Sequence, residues 1–436
     1  MFDALFTTTT EYKKLSHALS GKGACALFGL PASGRAQVYA ALCRQLDKPL
    51  CIVTPGEAEA TRFAADLNTL GIPAAVFPAR DYVLRPIEGT AREYEYRRLA
   101  VLGELVGGRL RAVAVPAEAL TQFTTPKEDF CANTRTLHAG DTLLRDDLLA
   151  ALFGAGYTRR AQVDGPGQFS VRGDIVDIFA PDQKMPVRME FWGDEIDTLH
   201  TFDLTTQRRE DAIDKFYLSP AREVLFGKPA DAAEQLRAFL AKQRGKKKTA
   251  MADCMAADLD LLDGGAVPVN MDKYLAVRYP HPATVLDYFD DPILVAEEPA
   301  SIREADRATA YRRGEELKSL ILDGVLCAGL DNLYADPSYL WSKTGHYRTI
   351  CAENFARSMP DQPLKDIINA PAHTLPAWNG EVAGLLEDLK PLCDAGYTVT
   401  LLAGTDRAAA GLARDLRDKG ILVTTDAAAA PAAGLV

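Results

Sequence analysis

No two cysteines in the chain stand at the C-x-x-C spacing of a zinc or redox site, and no run of about 18 apolar residues is present to cross a bilayer. Positive charge is also short: 49 Lys and Arg stand against 60 Asp and Glu, a net charge of −11. That balance excludes a chain built as a polycation for gripping nucleic acid. The six histidines show no metal-ligand pairing. The eight cysteines, at 25, 43, 51, 131, 254, 327, 351 and 393, are scattered, several within apolar runs such as GACALFG and PLCIVTP. They read as buried reduced thiols rather than disulfides or zinc ligands. The N-terminus, MFDALFTTTTEYKK, lacks the charged-then-apolar pattern of a signal peptide, so a cytoplasmic protein is expected. The densest basic run, KQRGKKK (242–248), reads as a solvated loop, with a phosphate contact as the sharper alternative.

What is there is ordinary globular material, 47% hydrophobic and 25% charged over 436 residues, enough for roughly two to four domains. Through residue 125, apolar runs of strand length (ACALFGL, PLCIVTP, PAAVFPAR, LRAVAVP) alternate with helix-length segments. This predicts βαβ units around a parallel sheet. From 126 to 215 one helix, RDDLLAALFGAGY, precedes several alternating strands, the texture of a small α+β module. Residues 216–345 return to mixed helix and strand, and 346–436 hold a βαβ-like fragment. The closing DAAAAPAAGLV is a poor place for a domain to end, and the chain is expected to be truncated there.

The stretch LFGLPASGRAQ (27–37) falls where a phosphate-binding loop belongs, after a strand and before a helix. Such a loop reads G-x-x-x-x-G-K-[ST], with a lysine for the β/γ-phosphates and a hydroxyl for Mg²⁺. Gly29 and Gly34 keep the turn, but Arg35 and Ala36 replace the two chemical positions. A planar guanidinium is no stand-in for the compact ammonium. The best acidic pair for a metal, Glu297 and Glu298 in ILVAEEP, carries Glu where Asp is usual. No ATP hydrolysis is expected, and weak anion binding stays open beside a purely structural turn.

In PVRMEFWGDEID, period-2 alternation puts Val187, Met189 and Phe191 on one face and Arg188, Glu190 and Trp192 on the other. Arg172, in FSVRGDIVDIF, can join the second face from a neighbouring strand. Trp and Arg are enriched at binding hot spots, so the polar face reads either as a protein-docking surface or as an exposed ion pair beside a half-buried Trp.

The block GPGQFSVRGDIVDIFAPDQKMPVRMEFWGDEIDTLHTFDLTTQRR resembles the second domain shared by the UvrB repair helicase and the bacterial transcription-repair coupling factors (Mfd). GLPASGRA, IVTPGEAEATRFAADL, VFPARDY, VAVPAEALTQ and LVAEEPASI follow in the family's order. UvrB keeps an intact phosphate loop and a DNA-clamping hairpin. Here the loop is degenerate, and about twenty residues between Phe77 and Arg98 leave no room for the hairpin and a helix. Both departures resemble the N-terminal UvrB-like module of the coupling factors.

The resemblance implies a degenerate P-loop, helicase-like α/β domain formed by 1–125 and 216–345. It carries an inserted α+β UvrA-binding domain (126–215) and a small C-terminal α/β domain (346–436). It further implies UvrA as partner, with Arg172 and Arg188 at the contact and Glu190, Phe191 and Trp192 beside them, Phe191 belonging rather to the core. ATP, Mg²⁺, RNA polymerase and DNA are implied only for other domains of the parent, an ATP-dependent translocase, one of which could mask the docking face. The rival reading is a UvrB-like ATPase using Arg35 with Glu297 and Glu298. Direct DNA binding is disfavoured by the acidic balance.

Overall fold

The structure, a computed structural model, describes residues 7–87, 92–356, 362–372, 382–399, 401, 405–425 and 434–435. It comprises two compact units, one of residues 11–370 and one of 1–10 with 371–436. In the larger unit the strands are β1 (Gly23–Phe28), β2 (Leu50–Thr54), β3 (Ala74–Val76), β4 (Ala112–Pro116), β5 (Arg135–His138), β6 (Thr158–Arg159), β7 (Gln168–Arg172) and β8 (Ile175–Phe179). They continue as β9 (Val187–Trp192), β10 (Glu195–Phe202), β11 (Arg209–Ala212), β12 (Lys215–Leu218), β13 (Ile293–Glu297), β14 (Arg348–Glu353) and β15 (Leu364–Asn369).

Seven of these form a parallel sheet in the order β15-β1-β14-β13-β2-β4-β3. The interior strands β2, β4 and β13 are buried at every position, which is why they read as unbroken apolar runs. The sheet also takes in β14, whose ICA core pairs with β1 on one side and β13 on the other. The domain boundary expected at 345/346 therefore falls near 370. A strand that begins Arg-Thr and ends in Glu gives little periodic signal, and only its two buried neighbours reveal its place.

The inserted module is a six-stranded sheet, β11-β10-β9-β8-β7-β6, antiparallel except for the β6–β7 pair, beside a separate β5–β12 ladder. Phe169, Val176, Ile178, Val187, Met189 and Phe191 share its core with Leu148 and Leu152 of the helix Arg145–Gly154. A third core gathers Val224 and Phe226 with Leu236, Met251 and Met255, the last three from the helices Pro229–Ala241 and Gly245–Asp263. The KQRGKKK run expected as a loop thus turns helical at Gly245, although its lysines remain exposed. Packing of Met251 and Met255 on the far side outweighs the poor match of lysines to a helix N-terminus.

In the smaller unit the helices Val382–Asp394 and Asp406–Asp418 pack through Leu385, Leu389 and Leu416. All eight cysteines are free thiols, five of them buried, and burial pushes Cys25, Cys51 and Cys351 up to about 12.

A buried ionic network ties the larger unit together. Arg98, fully buried on the helix Glu93–Val106, donates to both oxygens of Glu223, at 2.7 and 3.1 Å, and to Gln122 Oε1 and Pro78 O. Arg80 reaches the same Glu223 at 3.1 Å and grips Asp272 with both terminal nitrogens, at 2.7 and 3.1 Å. Burial opposes the charge on Glu95, but the guanidinium groups of Arg80, Arg222 and Arg92 outweigh it and hold that carboxyl down at about 2. Glu223 follows directly on the inserted module, so the network anchors the module's exit to the parallel sheet.

Replacing Glu223 by Ala leaves the buried Arg98 guanidinium without a carboxylate and takes one of Arg80's partners, and is expected to cost about 3 to 5 kcal/mol in urea unfolding. Arg97→Ala, which removes an exposed pair with Glu57 at 3.6 Å, should cost less than about 1 kcal/mol.

Candidate functional site

The sheet order decides what meets the degenerate loop. β14 lies between β1 and β13, so the loop after β1 faces the ends of β14 and β13 at the carboxyl edge, where parallel sheets bind ligands. Gly29 takes φ +92°, and the helix Ala32–Leu46 begins immediately after Pro31. Gly34 is therefore in the helix's first turn and does not close the loop, as its spacing had suggested. Proline leaves no N–H at the start of a helix to go unpaired, so it permits this early start and leaves only three loop residues.

Arg35 lies nearly fully buried between the loop and the acidic pair. Its Nη2 is 2.8 Å from Glu297 Oε2 and 3.0 Å from Glu298 Oε1, while Nη1 donates to Leu30 O and Asn354 Oδ1, both at 3.2 Å. The Tyr39 hydroxyl donates to Glu297 Oε1. Ala36 is buried and offers no ligand atom. Arg35, Glu297 and Glu298 are thus brought together as one ion cluster, with the guanidinium committed to the acidic pair. Burial pushes the Glu297 carboxyl up to about 7 against the pull of Arg35. Among the described residues no group of three His, Cys, Asp or Glu side chains is placed to hold a metal, and no helix is long and apolar enough to cross a membrane.

On the inserted sheet, the alternation holds residue by residue. Val187, Met189 and Phe191 are in the core; Arg188, Glu190 and Trp192 face the other way. Two hairpins put the useful positions at one end. Arg172 pairs with Ile175 across Gly173–Asp174, and Trp192 pairs with Glu195 across Gly193–Asp194. Gly173 and Gly193 take φ of +61° and +63°, the geometry of a turn with glycine first. β8 lies between β7 and β9, with Ile175 opposite Glu190. Arg172, Ile175, Glu190 and Trp192 therefore share one end of one face, and Trp192 is 80% exposed.

The two arginines differ in role. Asp177, fully buried on the same face, accepts from Arg188 Nε at 2.7 Å and Nη2 at 2.9 Å, and from Arg172 Nη2 at 2.6 Å. Arg188 also donates to Gln207 O at 3.1 Å and lies over the Phe202 ring. Its side chain is only 11% exposed, against 48% for Arg172. Arg188 is thus a buried partner of Asp177 rather than an open contact, because an unpaired carboxylate there would be costly. Glu190 pairs with Arg209 and accepts from the Thr198 hydroxyl at 3.2 Å. Sequence reading passed over Asp177, although a lone acid in the apolar run IVDIF signals a buried charge needing a partner.

These features define a UvrB-type interaction module carried on an α/β sheet with a degenerate nucleotide loop. Residues 136–224 match the UvrB interaction domain family. Over 406 residues, 91% of its length, the chain is 25% identical to a transcription-repair-coupling factor of Bacillus subtilis. It is 35% identical over 208 residues (45% of the chain) to one from Myxococcus xanthus, and 34% identical over 257 residues (57%) to one from Mycobacterium bovis. The chain covers only 34%, 17% and 20% of those relatives' length. The chain is thus similar to transcription-repair-coupling factors over most of its length and carries a UvrB interaction domain at 136–224.

Arg188→Ala should lower stability by about 3 kcal/mol by depriving buried Asp177 of its bidentate partner, whereas Arg172→Ala should cost about 1 kcal/mol or less, both read from urea melts. The raised Glu297 carboxyl works with the opposite sign to an ordinary ion-paired acid. Its contribution is most favourable below pH 4.5 and falls as pH rises towards 7. Glu297→Gln should flatten that part of the stability–pH curve, measured by thermal melts from pH 4.5 to 8.

Proposed function

We propose that this chain is the N-terminal, non-catalytic recruitment module of a transcription-repair coupling factor. Its work is to bring UvrA to DNA lesions where RNA polymerase has stalled. The observation that carries the reading is that the exposed Trp192 and Arg172 share one end of the inserted sheet's outer face, with Ile175 of β8 between them, backed by Glu190 and by the buried Asp177–Arg188 pair. A large exposed aromatic and an exposed arginine on one end of one face are the composition of a hot spot, and the rigid layer beneath preorganises it. Phe191 supports the face from the core side.

The remaining length of the relatives would supply the RNA polymerase contact, the DNA contact and the ATP- and Mg²⁺-dependent translocase. One of those domains could cover the docking face until recruitment is needed. The rival reading, a UvrB-like ATPase, asks Arg35 to serve phosphates. Arg35 already pairs with Glu297 and Glu298, and freeing it would leave two carboxylates unpaired.

Arg172→Ala and Trp192→Ala are each expected to weaken UvrA binding by about 2 kcal/mol, roughly 30-fold, in calorimetry with folded variants. Unchanged affinity in both would remove the docking face. Titration of the chain with ATP and Mg²⁺ should give no saturable binding that depends on Arg35; micromolar binding abolished by Arg35→Ala would favour the ATPase.

A further inference from the structure

A cavity of about 420 Å³ opens in the larger unit between residues 156–160, 222–232 and 265–272, away from both the Arg35 loop and the Trp192 face. Four arginines line it, Arg92, Arg159, Arg160 and Arg222, against one carboxylate, Asp272. That carboxylate is already neutralised by Arg80. Arg92 is divided between Glu95 Oε2, at 2.8 Å, and Val269 O, at 2.6 Å. Arg222 approaches Glu95 Oε2 only to 3.6 Å, and its buried Nη1 has no hydrogen-bond acceptor among the described residues. Arg159 and Arg160 are exposed and make no ion pair with any described residue. Glu95 is thus shared among several cations while the cavity wall keeps a surplus of positive charge. A concave wall of one sign concentrates the opposite ion.

The arginines are held in place. Gly156, at φ +82°, lies so close to the Arg222 stem that a Cβ there would fall 2.6 Å from Arg222 Cγ. Arg159 is in β6, paired with β7, and the Arg160 amide donates to Phe169 O at 2.8 Å. The rest of the wall is apolar, with Tyr157, Phe226, Val267 and Pro268 among its residues. The volume lies within the roughly 300 to 1,000 Å³ of small-ligand pockets, which combine an apolar wall with a few convergent polar groups.

We propose that this cavity binds a phosphate ester of nucleotide size. Arg159, Arg160 and Arg222 take the phosphate, because the guanidinium fork matches a phosphate's oxygens in pairs. The organic part lies against the apolar wall.

Isothermal titration of the whole chain with AMP, and separately with inorganic phosphate, at low salt tests this. One saturable site is expected, tighter for AMP. The double variant Arg159→Ala/Arg160→Ala changes exposed side chains and should fold; it should bind AMP at least tenfold more weakly. Arg35→Ala should leave AMP binding unchanged. No saturable binding of either probe at millimolar concentration would overturn the proposal, as would binding that survives the double substitution or is lost on Arg35→Ala. Equal affinity for the two probes would overturn the role given to the apolar wall. None of these outcomes bears on UvrA binding, so this site and the docking face stand or fall separately.

Discussion

The larger unit depends on charges that it has buried and must keep paired. Arg80, Glu95 and Arg98 come from one stretch of chain, Glu223 and Asp272 from two distant ones, and they meet where water is excluded. A buried guanidinium without a partner costs several kcal/mol, so each member constrains the others. Arg222 and Glu223, just after the inserted module, both enter this network, and the Glu223 amide in turn donates to Glu95 Oε1. The module's attachment to the parallel sheet is therefore specified by charge as well as by packing.

The same physics accounts for both regions singled out by their residue types. At the loop, Arg35 satisfies Glu297 and Glu298, so a place shaped for phosphates is occupied by the protein's own cation. On the inserted sheet, Arg188 satisfies Asp177 and leaves Arg172 and Trp192 towards solvent. In each case one buried acid decides which arginine is structural. The contrast between Arg188 and Arg172 shows that two arginines on one face of one sheet need not share a job.

Much of the fold was legible. The runs ACALF, LCIVT, AVAVP and ILVAE read as buried parallel strands because both of their faces are covered. The alternation VRMEFW separated core from surface correctly, since a strand's period leaves few alternatives. Less visible were β14 and β15, which carry polar residues at their ends and depend on pairing with distant strands, and the helical start of KQRGKKK, which depends on the core behind Met251. The loop glycines also misled: spacing alone could not show that Pro31 starts the helix two residues ahead of Gly34's own place.

What the sequence determined by itself was local: strand and helix periods, the two Gly-Asp hairpin turns, the loss of lysine and hydroxyl at 35 and 36, and a resemblance carried by a long block of residues. These follow from φ/ψ preference, side-chain chemistry and spacing, which neighbouring residues decide among themselves. Only the tertiary structure decided that Arg35 reaches Glu297, that Asp177 draws Arg188 inward, and that four arginines surround one cavity. Such meetings depend on strand order and on the cost of burying an unpaired charge, and neither can be read from any single stretch of chain.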